Sequence, residues 1–127
     1  MPKRTPAVTD AELAVMKVLW ETSPLPARAI AGHIYSRCTE SEVGTVHSLL
    51  QRLERKGLVS RDRTLHVHLF SAAVSREDVA GEALETLAVR IADGSMAPFI
   101  LPLVKSQRLS PEEATEIRRM LRRYRAD

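Results

Sequence analysis

A single cysteine, Cys38, stands in the 127 residues. It can form no internal disulfide, and one thiol excludes a cysteine-based metal cluster within a chain. A reducing cytoplasm is therefore the expected compartment. Glycine is scarce, at 5 residues; with 44% hydrophobic and 28% charged residues, this excludes collagen-like and disordered classes. No apolar run approaches the roughly 18 residues that a membrane span needs. At the start, Lys3 and Arg4 have no apolar stretch behind them, so no secretory signal is expected. Signatures of catalysis are missing as well. There is no glycine-rich phosphate loop, no His-Glu-x-x-His helix and no nucleophile elbow, and the carboxylates fall in capping positions or on helix surfaces. The expectation is a protein that is not an enzyme and that uses no cofactor and no metal.

What is present is basic charge, unevenly placed. The net charge is +3. Residues 1–74 hold ten basic and seven acidic side chains, whereas residues 75–127 hold nine of each. The stretch 52–63 alone carries Arg52, Arg55, Lys56, Arg61 and Arg63 against Glu54 and Asp62. A local basic cluster on an otherwise balanced chain points to a polyanion partner, although charge runs are also common on plain solvated surface.

Periodicity places this cluster. Thr9-Asp-Ala-Glu12 forms a capping box that opens a helix to about Glu21, with Leu13, Met16, Leu19 and Trp20 facing inward. Pro24 and Pro26 break the chain, and a short helix follows to about Arg37 with Ile30 and Ile34 inward. Residues 38–41 read as a polar turn. Ser41 caps a third helix, 42–56, whose apolar stripe is Val46, Leu49, Leu50 and Leu53, with Gly57 just past its end. The period then shifts from 3.6 to 2. Residues 58–61 and 65–70 read as two strands joined by a tight turn at 62–64, with Leu65, Val67 and Leu69 on one face. Three helices followed by a small hairpin is the order of a winged helix-turn-helix.

Beyond residue 74 the pattern is helical. Ser75-Arg-Glu-Asp78 opens a helix to about Ala92 with Val79, Ala83, Leu87 and Ile91 on one face. Asp93-Gly94 stops it. A short apolar segment, Met96 to Val104, contains Pro102, which must kink or end it. Ser110-Pro-Glu-Glu113 opens a last helix carrying Ala114, Ile117, Leu121 and Tyr124. So small a unit buries too little surface to fold alone. Its stripes bury either against a second copy or against the N-terminal half, and the first reading is preferred. The fold class is thus mainly α with a small β-hairpin: a winged helix-turn-helix DNA-binding domain, 1–74, and a helical dimerisation domain, 75–127. The dimer contact is expected at Leu84, Leu87, Ile91, Phe99, Leu103, Ile117 and Leu121.

The apolar stripe of helix 42–56 leaves Gly44, Thr45, His47, Ser48, Gln51, Arg52 and Arg55 facing outward. These are short, polar or basic, and suited to donate to base edges and phosphates. Thr45, His47, Ser48, Gln51, Arg52, Arg55 and Lys56 are therefore the candidate DNA contacts of the helix. Arg61 and Arg63, beside the hairpin tip, are the candidate phosphate contacts of the wing. His66 and His68 sit two apart on a strand and share a face. Two imidazoles there could ligate a metal, but no third ligand of suitable spacing is near, and packing on the wing is the plainer role.

These segments resemble a known family. Thr9-Asp-Ala-Glu-Leu-Ala-Val-Met-Lys-Val-Leu-Trp20 is similar to the opening of the penicillinase and methicillin-resistance repressors, the BlaI/MecI family. Thr45-Val46, followed by Leu50-Gln-Arg-Leu-Glu-Arg-Lys-Gly-Leu-Val59, resembles their recognition helix and its exit. Phe70-Ser71, Val74-Ser-Arg-Glu-Asp-Val79, Gly94-Ser95 and Leu109-Ser-Pro-Glu-Glu113 complete a match over about residues 9–124. The resemblance implies a homodimeric winged-helix repressor on a palindromic, inverted-repeat operator. It places Thr45, Ser48 and Arg52 at the major groove and Lys56 close to the backbone. It also implies an upstream sensor protease that triggers cleavage in the dimerisation domain. The chain departs from the pattern in three places. Leu65 and His66 replace the wing's glycine-arginine pair, and His68 and Phe70 take its tyrosine positions. The Asn-Phe bond cleaved in staphylococcal members has no counterpart, Ser95-Met96 lying near its place. No cysteine follows residue 38, so the metal switch of the copper-responsive branch has no ligands here.

The function expected is a cytoplasmic, dimeric repressor of double-stranded DNA that occludes a promoter. The alternative is a winged-helix protein-interaction module without specific DNA binding.

Overall fold

A computed structural model describes residues 6–124. The expectation at Lys3 and Arg4 lies outside the described residues. The elements are α1 (Asp10–Glu21), α2 (Ala27–Ile34), α3 (Glu40–Arg55), β1 (Val59–Asp62), β2 (Leu69–Ala72), α4 (Arg76–Ala92), α5 (Ala97–Lys105) and α6 (Pro111–Arg123). Two compact units divide between Ala83 and Leu84.

The first unit is built on a core of α1, α2 and α3. Val15, Met16 and Leu19 of α1 meet Ile30 and Ala31 of α2 and Val46, Leu49, Leu50 and Leu53 of α3, all buried. Full burial of each such side chain contributes roughly 1.5–3 kcal/mol. The hairpin closes the core from one side. β1 and β2 pair antiparallel with Val59 opposite Ala72 and Arg61 opposite Phe70, and Phe70 is fully buried. Leu25 adds a short third edge, exchanging both backbone hydrogen bonds with Phe70 at 2.8 and 3.0 Å.

Local chemistry explains the boundaries, including those the sequence reading misplaced. Helix α3 starts two residues earlier than expected because Thr39, not Ser41, is its cap. The Thr39 hydroxyl accepts from the Glu42 amide at 3.3 Å, and the Thr39 amide donates to Glu42 Oε2 at 2.9 Å. This is a reciprocal box that Ser41, with Gly44 three residues on, could not make. At the other end, Gly57 (φ 79°) lets the Leu58 amide reach the Leu53 carbonyl and its own amide the Glu54 carbonyl. That pair of bonds is a Schellman stop. Helix α2 ends at Ile34 rather than Arg37, with Tyr35 extended. A continued stripe would bring Arg37 and Cys38 inward, where neither has apolar surface to bury.

The second strand is Leu69–Ala72 instead of 65–70, so the wing loop is longer than the tight turn expected. Leu65 and Val67 are each 56% exposed. The Asp62 carboxylate accepts from the Thr64 amide at 2.9 Å and its hydroxyl at 2.7 Å, a local turn that competes with the ladder. Leu13 is only half-buried, and Val15 takes the core place expected of it. Trp20, also half-buried, donates from Nε1 to the Val74 carbonyl at 2.9 Å. The Arg76 guanidinium lies 5.4 Å from the Trp20 ring centroid. These contacts keep the first turns of α4 with the first unit, and the division falls inside α4 rather than after residue 74.

The second unit holds the rest of α4 with α5 and α6. Helix α5 runs through Pro102 to Lys105, so the proline does not end it. Ala88 of α4 is the second unit's one buried residue among the described residues. Among the described residues, no single helix is long and apolar enough to cross a membrane.

Candidate nucleic-acid interface

Helix α3 divides cleanly into two faces. Val43, Val46, Leu49, Leu50 and Leu53 are buried, while Thr45, His47, Ser48, Gln51, Arg52 and Arg55 are exposed. Six of the seven helix residues singled out from sequence are thus exposed, while Lys56, the C-cap of α3, is half-buried. The Thr45 hydroxyl donates back to the Ser41 carbonyl at 3.1 Å, leaving its oxygen free to accept.

The cations on and beside this face are mostly tied down. Glu12 is buried with no solvent exposure, and it draws in two of them. Lys56 Nζ donates to Glu12 Oε1 at 2.7 Å and to the Ala7 carbonyl at 3.1 Å. Arg52 Nε donates to Glu12 Oε2 at 3.3 Å. Burial alone would raise the Glu12 pKa, but hydrogen bonds from Lys56 and the Thr9 backbone, with the Lys56 charge, hold it down at about 2. Glu12 therefore stays ionised, and its charge is neutralised from α3.

The wing arginines also have an internal partner. Arg61 pairs with Glu54 at 3.0 Å, its side chain only 14% exposed, and stacks 4.8 Å from the Phe70 ring centroid. The Arg61 Nε is buried without a hydrogen-bond partner. Arg63 reaches the other Glu54 oxygen at 3.4 Å but is 60% exposed. Arg55 is exposed and has no ion-pair partner among the described residues. Sequence reasoning missed Glu12 and Glu54 as organisers of these cations. The only signal was their carboxylate chemistry, since Glu12 lies 40 and 44 positions from its partners.

His66 and His68 do not lie on a regular strand; both fall in the wing loop. His68 Nδ1 is 3.5 Å from Arg61 Nη1. Among the described residues, no three His, Cys, Asp or Glu side chains are placed to hold a metal ion.

A three-helix core, a two-stranded wing and a third helix with a buried apolar stripe and an exposed polar face define a winged helix-turn-helix protein. The chain belongs to the penicillinase repressor family, whose model matches residues 8–123. It is 25% identical over 123 residues to the penicillinase repressor of Bacillus licheniformis, covering 97% of this chain and 95% of that one. It is 32% identical over 114 residues to the transcriptional regulator BlaI of Mycobacterium tuberculosis, covering 88% and 80%. It is also similar to the solution structure of the Bacillus licheniformis BlaI monomeric form in complex with the blaP half-operator. There the identity is 27%, the coverage 61% of this chain and 93% of that one, and the TM-score 0.48.

Proposed function

We propose that this chain is a transcriptional repressor that binds double-stranded DNA through α3, in a bacterial cytoplasm. The observation that carries the reading is the outward face of α3. From Gly44 to Arg55 its exposed side chains are small, polar or basic, and an α-helix with such a face fits the major groove. Membership of a family whose relatives are named repressors agrees with it. Within this reading, Thr45, Ser48 and Gln51 approach base edges, while His47, Arg52, Arg55, Lys56 and Arg63 serve the phosphates. Arg61 acts from within the wing, holding Glu54 and Phe70.

The repressor acts as a homodimer through its C-terminal helices. Leu84, Leu87, Ile91, Leu103, Ile117 and Leu121 are each between 38% and 69% exposed. Phe99 is half-buried. Apolar side chains exposed in such number mark an interface. Sequence reasoning left out Val89, Ile100 and Met120, which are exposed in the same unit. A two-fold dimer presents two copies of α3 and so requires an inverted repeat, and occupation of it occludes the promoter. An upstream sensor protease enters this reading through the family resemblance. Ser95–Met96, between α4 and α5, is the segment whose cleavage would part those helices.

Retention on random-sequence duplex tests the DNA-binding step. A steep fall of affinity with salt supports it. Absence of duplex binding at low salt overturns it in favour of a protein-interaction module.

A further inference from the structure

Three of the chain's four histidines meet in one place. His47 of α3 and His66 and His68 of the wing loop line an open cavity of about 320 Å³, together with Pro26 and Arg28 at the start of α2. No carboxylate lines it. Helix α2 has no side-chain cap at this end. The cavity adjoins the exposed face of α3, on the side of the wing.

We propose that this histidine-lined groove receives a backbone phosphate of duplex DNA, and that the contact is made by imidazolium, so that DNA binding takes up protons. The inference rests on the repressor reading above and specifies how its wing engages the duplex.

The charge balance of the free groove supports it. From α2, Arg28 faces the cavity, already paired to Glu40 of α3 at 2.6 Å. From β1, Arg61 approaches His68, and both cations disfavour a further positive charge. Asp62 lies within electrostatic reach of His68 and favours one, but its carboxylate is already held by Thr64. The groove thus offers cations and imidazoles without an anion of its own. A phosphate supplies the missing anion, and a negative charge placed beside the imidazoles favours their protonated form. The arrangement also compensates for the internal pairing of Arg61. The wing's strand arginine is spent on Glu54, and the imidazoles of the loop stand where a wing meets the backbone.

The test is the affinity for a labelled random-sequence duplex at fixed ionic strength, from about pH 8 to about pH 6, where histidine titrates. Wild type should tighten by roughly tenfold or more over that range, since each fully linked proton changes affinity up to about tenfold per pH unit. The readout for His66→Gln/His68→Gln, and separately for His47→Gln, is the ratio of the two affinities. That ratio should collapse towards one, whatever the absolute values. Calorimetry of wild type in two buffers of different ionisation heat should show net proton uptake on binding near neutrality. Duplex binding with no pH dependence, no proton uptake, or a dependence that survives in both variants overturns the groove as a phosphate site and leaves the repressor reading standing. Absence of duplex binding at every pH overturns both.

Discussion

The carboxylate of Glu12, wholly shut off from solvent, takes a 2.7 Å hydrogen bond from Lys56 at the far end of the chain's third helix. The same carboxylate caps its own helix with Thr9 and holds Arg52. One buried charge therefore ties the start of α1 to the end of α3. It is a contact between first-turn and last-turn residues, and both helix dipoles favour it.

Stability should consequently depend on pH through Glu12. Its pKa in the folded chain, about 2, lies below the ordinary value of 4.5. A depressed carboxylate contributes stability above its unfolded pKa and loses it as pH falls from about 4.5 towards about 2. The shift corresponds to something on the order of 3 kcal/mol. Glu12→Gln should remove most of that contribution at neutral pH and flatten the acid limb of a denaturant-midpoint profile. An acid limb identical to wild type would refute the role. Glu12→Ala should cost more, about 3–5 kcal/mol, because two cations are left facing a void.

Two arginines of similar standing in the sequence should part company on mutation. Arg61 is half-buried between Glu54 and Phe70, so Arg61→Ala should destabilise the first unit by about 1–3 kcal/mol, by loss of packing and of the Glu54 partner. Its effect on the salt slope of DNA binding should be small. Arg55, exposed on the C-terminal turn of α3, should behave in the opposite way. Arg55→Ala should leave the unfolding midpoint within about 0.5 kcal/mol and lower the salt slope by about one. Denaturant melts and binding at several salt concentrations, run on both variants, decide the matter. A slope loss for Arg61→Ala equal to that for Arg55→Ala would show that the wing pair opens on DNA.

Much of this architecture was legible in the sequence, and what was not has a common cause. The boxes at Thr9, Ser75 and Ser110 form as Ser/Thr-x-x-acid spacing predicts, because each involves residues three apart. The Val46–Leu53 stripe was legible for the same reason: helical period decides burial. The box at Thr39 carries the same signal, but the polar run around it masked where the helix began. The partners of Arg52, Lys56 and Arg61 were not legible. Those pairs depend on which helix ends meet, and spacing along the chain says nothing of that. The wing failed differently. Leu65 and Val67 alternate as strand residues should, yet the Asp62 turn and the register set by buried Phe70 leave them exposed.

The C-terminal helices should carry the dimer. Leu87 and Leu121 are 38% and 63% exposed in the single chain. A lysine at each would place a charge within the apolar contact, at a cost of several kcal/mol to association. Leu87→Lys/Leu121→Lys should sediment as a monomer where wild type sediments as a dimer, with the first unit's melting unchanged. A variant that remains dimeric would move the interface elsewhere.

Base reading is expected to centre on Gln51. It stands exposed on α3 between Ser48 and Arg52, and its amide can both donate to and accept from a base edge. Arg52, one position on, is partly committed: its Nε donates to Glu12 and its Nη2 to the Thr9 hydroxyl at 3.5 Å. The two substitutions should therefore differ in kind. Gln51→Ala should cost about 1–3 kcal/mol at one base pair per half-site, relax the preference there, and leave non-specific affinity nearly intact, since phosphates supply most of that term. Arg52→Ala should lower affinity for all sequences and also destabilise the fold, because Glu12 loses a partner. Footprints and binding on a selected operator and on single-base variants of it, read beside denaturant melts, separate these outcomes. If Gln51→Ala binds the operator and its variants with wild-type affinities, α3 does not read bases through this residue. The outward face would then act on the backbone alone, and specificity would have to arise from the shape of the duplex.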